Sequence, residues 1–85
     1  MRLDKFLKVS RIIKRRTIAN EACDNGRVTI NGKVAKAGAI VKVNDEVTIT
    51  FGDKVFAFRI LNISETAKKD EAASMFEVIL DKVVK

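Results

Sequence analysis

Arg2, Lys5, Lys8, Arg11, Lys14, Arg15 and Arg16 place seven cations in the first sixteen residues, and Arg27, Lys33 and Lys36 follow at wider spacing. Guanidinium and ammonium groups in such numbers point to the neutralisation of phosphate oxygens rather than to bond making. The asymmetry of charge supports this. Residues 1–42 carry eleven Lys and Arg against only Asp4, Glu21 and Asp24, a net of +8, whereas residues 43–85 carry six against eight acids, a net of −2. Cations gathered on one ordered surface concentrate a polyanion and speed its capture, while the same charge spread evenly would mainly confer solubility. The expected partner is a nucleic acid.

The groups that would serve catalysis are few. The chain has no histidine, so the acids Asp45, Glu46 and Asp53 have no such base beside them, and all three fall in segments that read as turns. A hydrolase or transferase reading is therefore set aside. Cys23 lies on the apolar side of a helical pattern, which suits packing better than nucleophilic attack, and a lone cysteine forms no internal disulfide. Neither a metal nor a cofactor is expected. A chain of 85 residues buries only about 60% of its unfolded surface and has room for one domain. No run of 18 apolar residues is present to span a bilayer, and the start lacks the apolar stretch of a secretion signal. The expected molecule is cytoplasmic, without a membrane partner, and monomeric in solution.

These cations must be positioned by local structure. Leu3, Phe6 and Leu7 recur at helical spacing with Lys5 and Lys8 on the other side, and Asp4 stands four residues before Lys8, a helix-supporting pair. Arg11, Lys14, Arg15 and Arg16 lead into a second helix with the stripe Ile18, Ala19, Ala22 and Cys23, closed by Asn25-Gly26. Val28 and Ile30 then alternate with polar residues before Asn31-Gly32, the dipeptide best suited to a type I′ hairpin turn. Residues 35–39 read as a loop that keeps Lys33 and Lys36 near the hairpin tip. Val47, Ile49 and Phe51 mark a half-buried strand, and residues 55–63 a more enclosed one. From Ala72, the positions Met75, Phe76, Ile79, Leu80 and Val83 follow the spacing of an amphipathic helix, with Ser64 or Thr66 as its cap. The predicted fold is α+β: two N-terminal helices on a small antiparallel or mixed sheet with a hairpin, plus a C-terminal amphipathic helix. It forms one domain over residues 1–85, with a motif core at 2–50 and an extension at 55–84. An acidic final helix carrying Asp70, Glu71, Glu77 and Asp81 would also suit a protein-docking module, although a solvated face is the commoner use of such charges.

Arg2-Leu3-Asp4-Lys5-Phe6-Leu7, then Lys14, Arg16 and Ala19, then Gly26-Arg27-Val28-Thr29-Ile30-Asn31-Gly32-Lys33, resemble the RNA-binding domain first named for small-subunit ribosomal protein S4. Several spaced residues coincide, so the likeness is more specific than a lysine cluster. One departure is Arg15, where a serine often precedes the motif arginine and caps the helix. That leaves Thr17 to cap, or a frayed end. By matching position, the resemblance makes Arg2, Lys5, Arg16, Arg27, Asn31 and Lys33 the RNA contacts, and Lys8, Arg11, Lys14, Arg15 and Lys36 join them on charge and location. Residues 60–65, Ile-Leu-Asn-Ile-Ser-Glu, extend the likeness to stand-alone members of ribosome-associated quality control. For those members the resemblance implies a non-enzymatic factor on obstructed large subunits. It would contact rRNA and peptidyl-tRNA while a partner, RqcH, brings alanyl-tRNA to tail the stalled chain with alanine. The alternative is a large-subunit recycling factor of the heat-shock type, or another small rRNA- or tRNA-binding protein.

Overall fold

Leu3, Phe6 and Leu7 lie on one side of helix α1 (Leu3–Val9) and are fully buried in the computed structural model, which describes residues 1–64 and 68–83. Burial of that stripe explains why seven residues suffice for a helix, since an isolated helix this short is marginal in water. Helix α2 (Arg16–Asp24) packs against it through Ala19, Ala22 and Cys23, whose small side chains allow close approach, while Ile18 remains 46% exposed. Strands β1 (Val28–Ile30), β2 (Lys33–Val34), β3 (Glu46–Phe51) and β4 (Lys54–Ile60) follow, then a single helical turn α3 (Lys69–Ala72), a 3₁₀ turn at Ala73–Met75 and strand β5 (Phe76–Val83).

The five strands form one sheet in the order β2-β1-β3-β4-β5, and every ladder is antiparallel. Val28, Val47, Ile49, Phe58 and Ile60 supply its inner face and meet the helices in a single core. Phe58 is central there. Its ring stacks on Phe6 of α1 at 6.1 Å and meets Phe76 edge-on at 5.6 Å, which ties the motif's first helix to the last strand.

Asn31 and Gly32 take φ of 51° and 86°, the positive pair that a type I′ turn requires, and the predicted hairpin forms there. The enclosed strand over 55–63 is shorter than its apolar run implies: β4 ends at Ile60, and Leu61 is 45% exposed.

The predicted C-terminal amphipathic helix is not present among the described residues. The segment turns through α3 and the 3₁₀ turn, and from Phe76 it pairs with β4 as a strand. Ala57 pairs with Leu80 and Phe58 with Val78, so Ile79 is an extra residue in the ladder. That bulge breaks the period of two and leaves apolar side chains at 76, 79, 80 and 83, which imitates helical spacing. The β-branched Val78, Ile79 and Val83 favour the strand, and the ladder with β4 satisfies its backbone. Lys68 occupies the N-cap of α3 without a side-chain cap, and the candidate cap Thr66 lies outside the described residues.

One strained position bears on the site. Arg11 has φ of 61° just past Ser10, the C-cap of α1, where glycine is the usual residue. Its N–H donates to the Lys8 carbonyl and that of Ile13 to Leu7, which closes the helix end. Arg11→Gly should stabilise the fold by about 1 kcal/mol by relieving this conformation. A thermal melt checks it: an unchanged or lowered midpoint contradicts the expectation.

Candidate nucleic-acid interface

The chain enters α1 through Arg2, held extended by a bridge to Ile40. The Leu3 and Asp4 N–H groups donate to the carbonyls of Ala39 (2.7 Å) and Ala37 (3.2 Å), and that of Val41 to Met1. The loop after the hairpin is thereby laced to the start of α1, which brings exposed Lys36 to the same end of the molecule. Arg2 lays its guanidinium over Gly38 in this loop.

Asp4 organises what lies beside it. Its side chain is 1% exposed, yet it accepts five hydrogen bonds. Oδ1 receives Arg2 Nε at 3.2 Å and the Lys5 N–H at 2.8 Å. Oδ2 receives Arg2 Nη2 at 3.4 Å, Arg16 Nε at 3.3 Å and Asn20 Nδ2 at 3.4 Å. The helix-supporting pair expected between Asp4 and Lys8 is therefore replaced by a tie between two helices. Burial pushes the Asp4 carboxyl up, but hydrogen bonds from Arg16 and Asn20 and the charges of Arg16 and Arg2 outweigh it and hold its pKa below 3.8.

The tie leaves both arginines able to act. Arg2 and Arg16 keep 51% and 46% of their side chains exposed. Arg16 meets Asp4 through Nε alone, which leaves the paired Nη donors suited to a phosphate, and Arg2 retains Nη1. Two cations against one carboxylate leave a positive local balance. No side chain caps α2, so the leading N–H groups of that helix, beside Arg16 and Thr17, add to an anion-attracting end. Neither Thr17 nor a capping serine closes it. A shallow depression of about 350 Å³, lined by Arg16, Thr17, Asn20 and Glu21, opens there.

The other candidates surround this centre in different ways. Lys5 is half-buried beside Asp4, and Lys8, Arg11, Lys14 and Arg15 are exposed along the end of α1 and the connection into α2. Arg27, exposed before β1, and Lys33, exposed on β2, belong to the sheet side of the motif and are not joined to the arginine pair by hydrogen bonds or ion pairs among the described residues. Asn31 differs in kind. Its Nδ2 donates to Asp45 Oδ1 at 3.1 Å and its Oδ1 accepts the Glu46 N–H at 3.0 Å, so its carboxamide braces the hairpin against β3. Reading by charge overlooked Asn20. It stands four residues after Arg16, on the same helical face, and that spacing was the available signal.

Residues 1–47 match the S4 domain. The chain belongs to the S4-domain family. The chain is 59% identical over 78 residues to the RQC P-site tRNA stabilizing factor of Halalkalibacterium halodurans, covering 92% of this chain and 89% of that protein. It is 53% identical over 79 residues to the factor of the same name from Bacillus subtilis, covering 93% and 92%. Its fold superposes on Heat Shock Protein 15 of Vibrio cholerae with a TM-score of 0.84 and 29% identity, over 92% of this chain and 80% of that one. The arginine pair and its carboxylate all lie inside the matched residues, whereas β4 and β5 lie beyond them.

Cys23 is buried, and burial first, with the charges of Asp4 and Asp24, pushes its thiol up to about 11. A thiol held in that form at neutral pH is a poor nucleophile. No group of three or more potential ligands is placed to hold a metal, and no helix is long and apolar enough to cross a membrane, among the described residues.

Proposed function

We propose that this chain is a non-enzymatic RNA-binding factor of ribosome-associated quality control, acting in the cytoplasm on large subunits obstructed by peptidyl-tRNA. One observation carries the reading: a buried carboxylate grips two arginines, one at the N-cap of α1 and one in α2, mainly through Nε and leaves outer donors of both to solvent. Guanidinium groups held in place suit phosphates fixed in a folded RNA, because less side-chain freedom is lost on contact. Lys8, Arg11, Lys14, Arg15 and Lys36 widen the basic surface, Arg27 and Lys33 extend it across the hairpin, and Lys5 and Asn31 contribute by place in the motif. Asn31 acts chiefly by fixing the turn. The names of its relatives support tRNA in the P site as one ligand.

The mechanism is a bias of populations. A small cationic domain wedged between rRNA and peptidyl-tRNA, with contacts to both in one tRNA position only, favours that position by the free energy of those contacts. Held there, the tRNA stays available while RqcH supplies alanyl-tRNA for tailing. Nothing in this role needs a bond to be made by the factor itself.

Sedimentation tests it. The protein should travel with obstructed large subunits and less with subunits lacking tRNA, and the logarithm of its binding constant should fall linearly with the logarithm of salt concentration, by a slope of about 0.7–0.9 per neutralised phosphate. Protein that stays at the top of the gradient with both subunits ends the proposal, and salt-independent binding ends its electrostatic basis.

A further inference from the structure

Strand β5 ends the sheet, with no strand beyond it among the described residues, and seven of its eight residues are exposed. Val78, Ile79, Leu80 and Val83 are 41–64% exposed. A long apolar edge offers a row of unpaired N–H and C=O groups to another strand, and proteins commonly blunt such edges with proline, charge or a bulge. β5 has no proline. Its bulge at Ile79 lies against β4 and resets the alternation along the strand.

The reset matters for charge. Glu77, Leu80 and Lys82 pair with Arg59, Ala57 and Val55 on the outer face, whereas Phe76, Val78, Asp81 and Val83 share the face of Phe58 and Ile60. In a regular strand Glu77 and Lys82, five positions apart, would point to opposite faces. The bulge puts them on one. An antiparallel strand related by a twofold axis must set residues of like face opposite each other. The register that places Glu77 against Lys82 also places Phe76 against Val83 and Val78 against Asp81, each pair on one face, with Ile79 and Leu80 at the axis. Face and charge agree in this single register, and of its two inner-face pairs Phe76 with Val83 is apolar on both sides. Lys82 makes no ion pair among the described residues, and Glu77 reaches Arg59 only at 3.7 Å.

We propose that β5 is a homotypic docking edge, on which a second copy of this chain pairs antiparallel in the Glu77–Lys82 register and joins the two five-stranded sheets. The edge lies beyond the basic motif, so this assembly is independent of the RNA-binding reading, and it replaces the monomer expected from sequence.

Sedimentation velocity of the purified full chain decides it, over about 1 µM to 1 mM. The natural chain should move from the mass of one copy, 9.5 kDa, towards that of two. Lys82→Glu and Glu77→Lys, each shown folded by circular dichroism, should dissociate about tenfold more readily alone, because each sets like charges opposite twice per interface. Mixed in equal amounts they should associate with each other, since both contacts then become Lys against Glu. A natural chain that stays at single-copy mass overturns the proposal and leaves the edge to solvent or a foreign strand. Variants that self-associate like the natural chain, or a mixture no tighter than either variant, overturn it as well.

Discussion

Arg16→Glu is expected to weaken binding to obstructed large subunits by about ten- to a hundredfold at fixed salt, while circular dichroism remains that of the folded chain. Loss of charge-assisted bonds to phosphate removes about 1.5–3 kcal/mol, and the new carboxylate adds repulsion. The fold should survive. Arg16 sits in the first turn of α2 with nearly half its side chain in solvent, and Asp4 keeps Arg2, Asn20 and the Lys5 N–H as donors. Arg16→Lys retains the charge without the guanidinium fork and should fall between the two. A binding titration with all three chains reads the series, and affinity unaltered by Arg16→Glu removes this residue from the interface.

Asp4→Asn separates position from charge. The substitution raises the net charge from +6 to +7, so an account by charge alone predicts tighter RNA binding. We expect it to bind about five- to tenfold more weakly. An amide in place of the carboxylate loses the ionic hold on two guanidinium groups, and arginines free to sample many rotamers surrender that freedom on meeting RNA. The melting temperature should also drop by several degrees, because the carboxylate is buried and bonded five times. Tighter binding by Asp4→Asn would refute the positioning role.

The same residue gives a pH signature. Its folded pKa is depressed, so its contribution to stability is complete above the unfolded carboxylate value of about 3.9 and is lost as pH falls through the lower folded value. Stability due to this tie should therefore be flat from pH 8 to about 5 and decline below about 4. Asp4→Asn should lack that part of the acid limb.

Much of the motif was legible because each local signal agreed with the fold around it. Leu3, Phe6 and Leu7 announced α1, and Asn31-Gly32 fixed a turn that no other dipeptide would suit as well. β5 was misread because a single extra residue, Ile79, converts a period of two into apparent helical spacing, and a bulge depends on the partner strand rather than on its own sequence. Asp4 was hidden for a related reason. Its i+4 neighbour Lys8 offers a local partner, whereas the partners it takes include Arg16 and Asn20, twelve and sixteen residues away and brought close only when α2 packs on α1. Charge counting located the cations but could not show that a carboxylate among them would strengthen the site.

Crosslinking the full chain to obstructed large subunits, followed by mapping of the joined peptides and nucleotides, addresses the interface itself. Crosslinks should fall within residues 2–36, densest around Arg2 and Arg16, and should reach both rRNA and tRNA. Crosslinks confined to β4 and β5, or to one RNA alone, would contradict an interface built on the arginine pair that Asp4 holds.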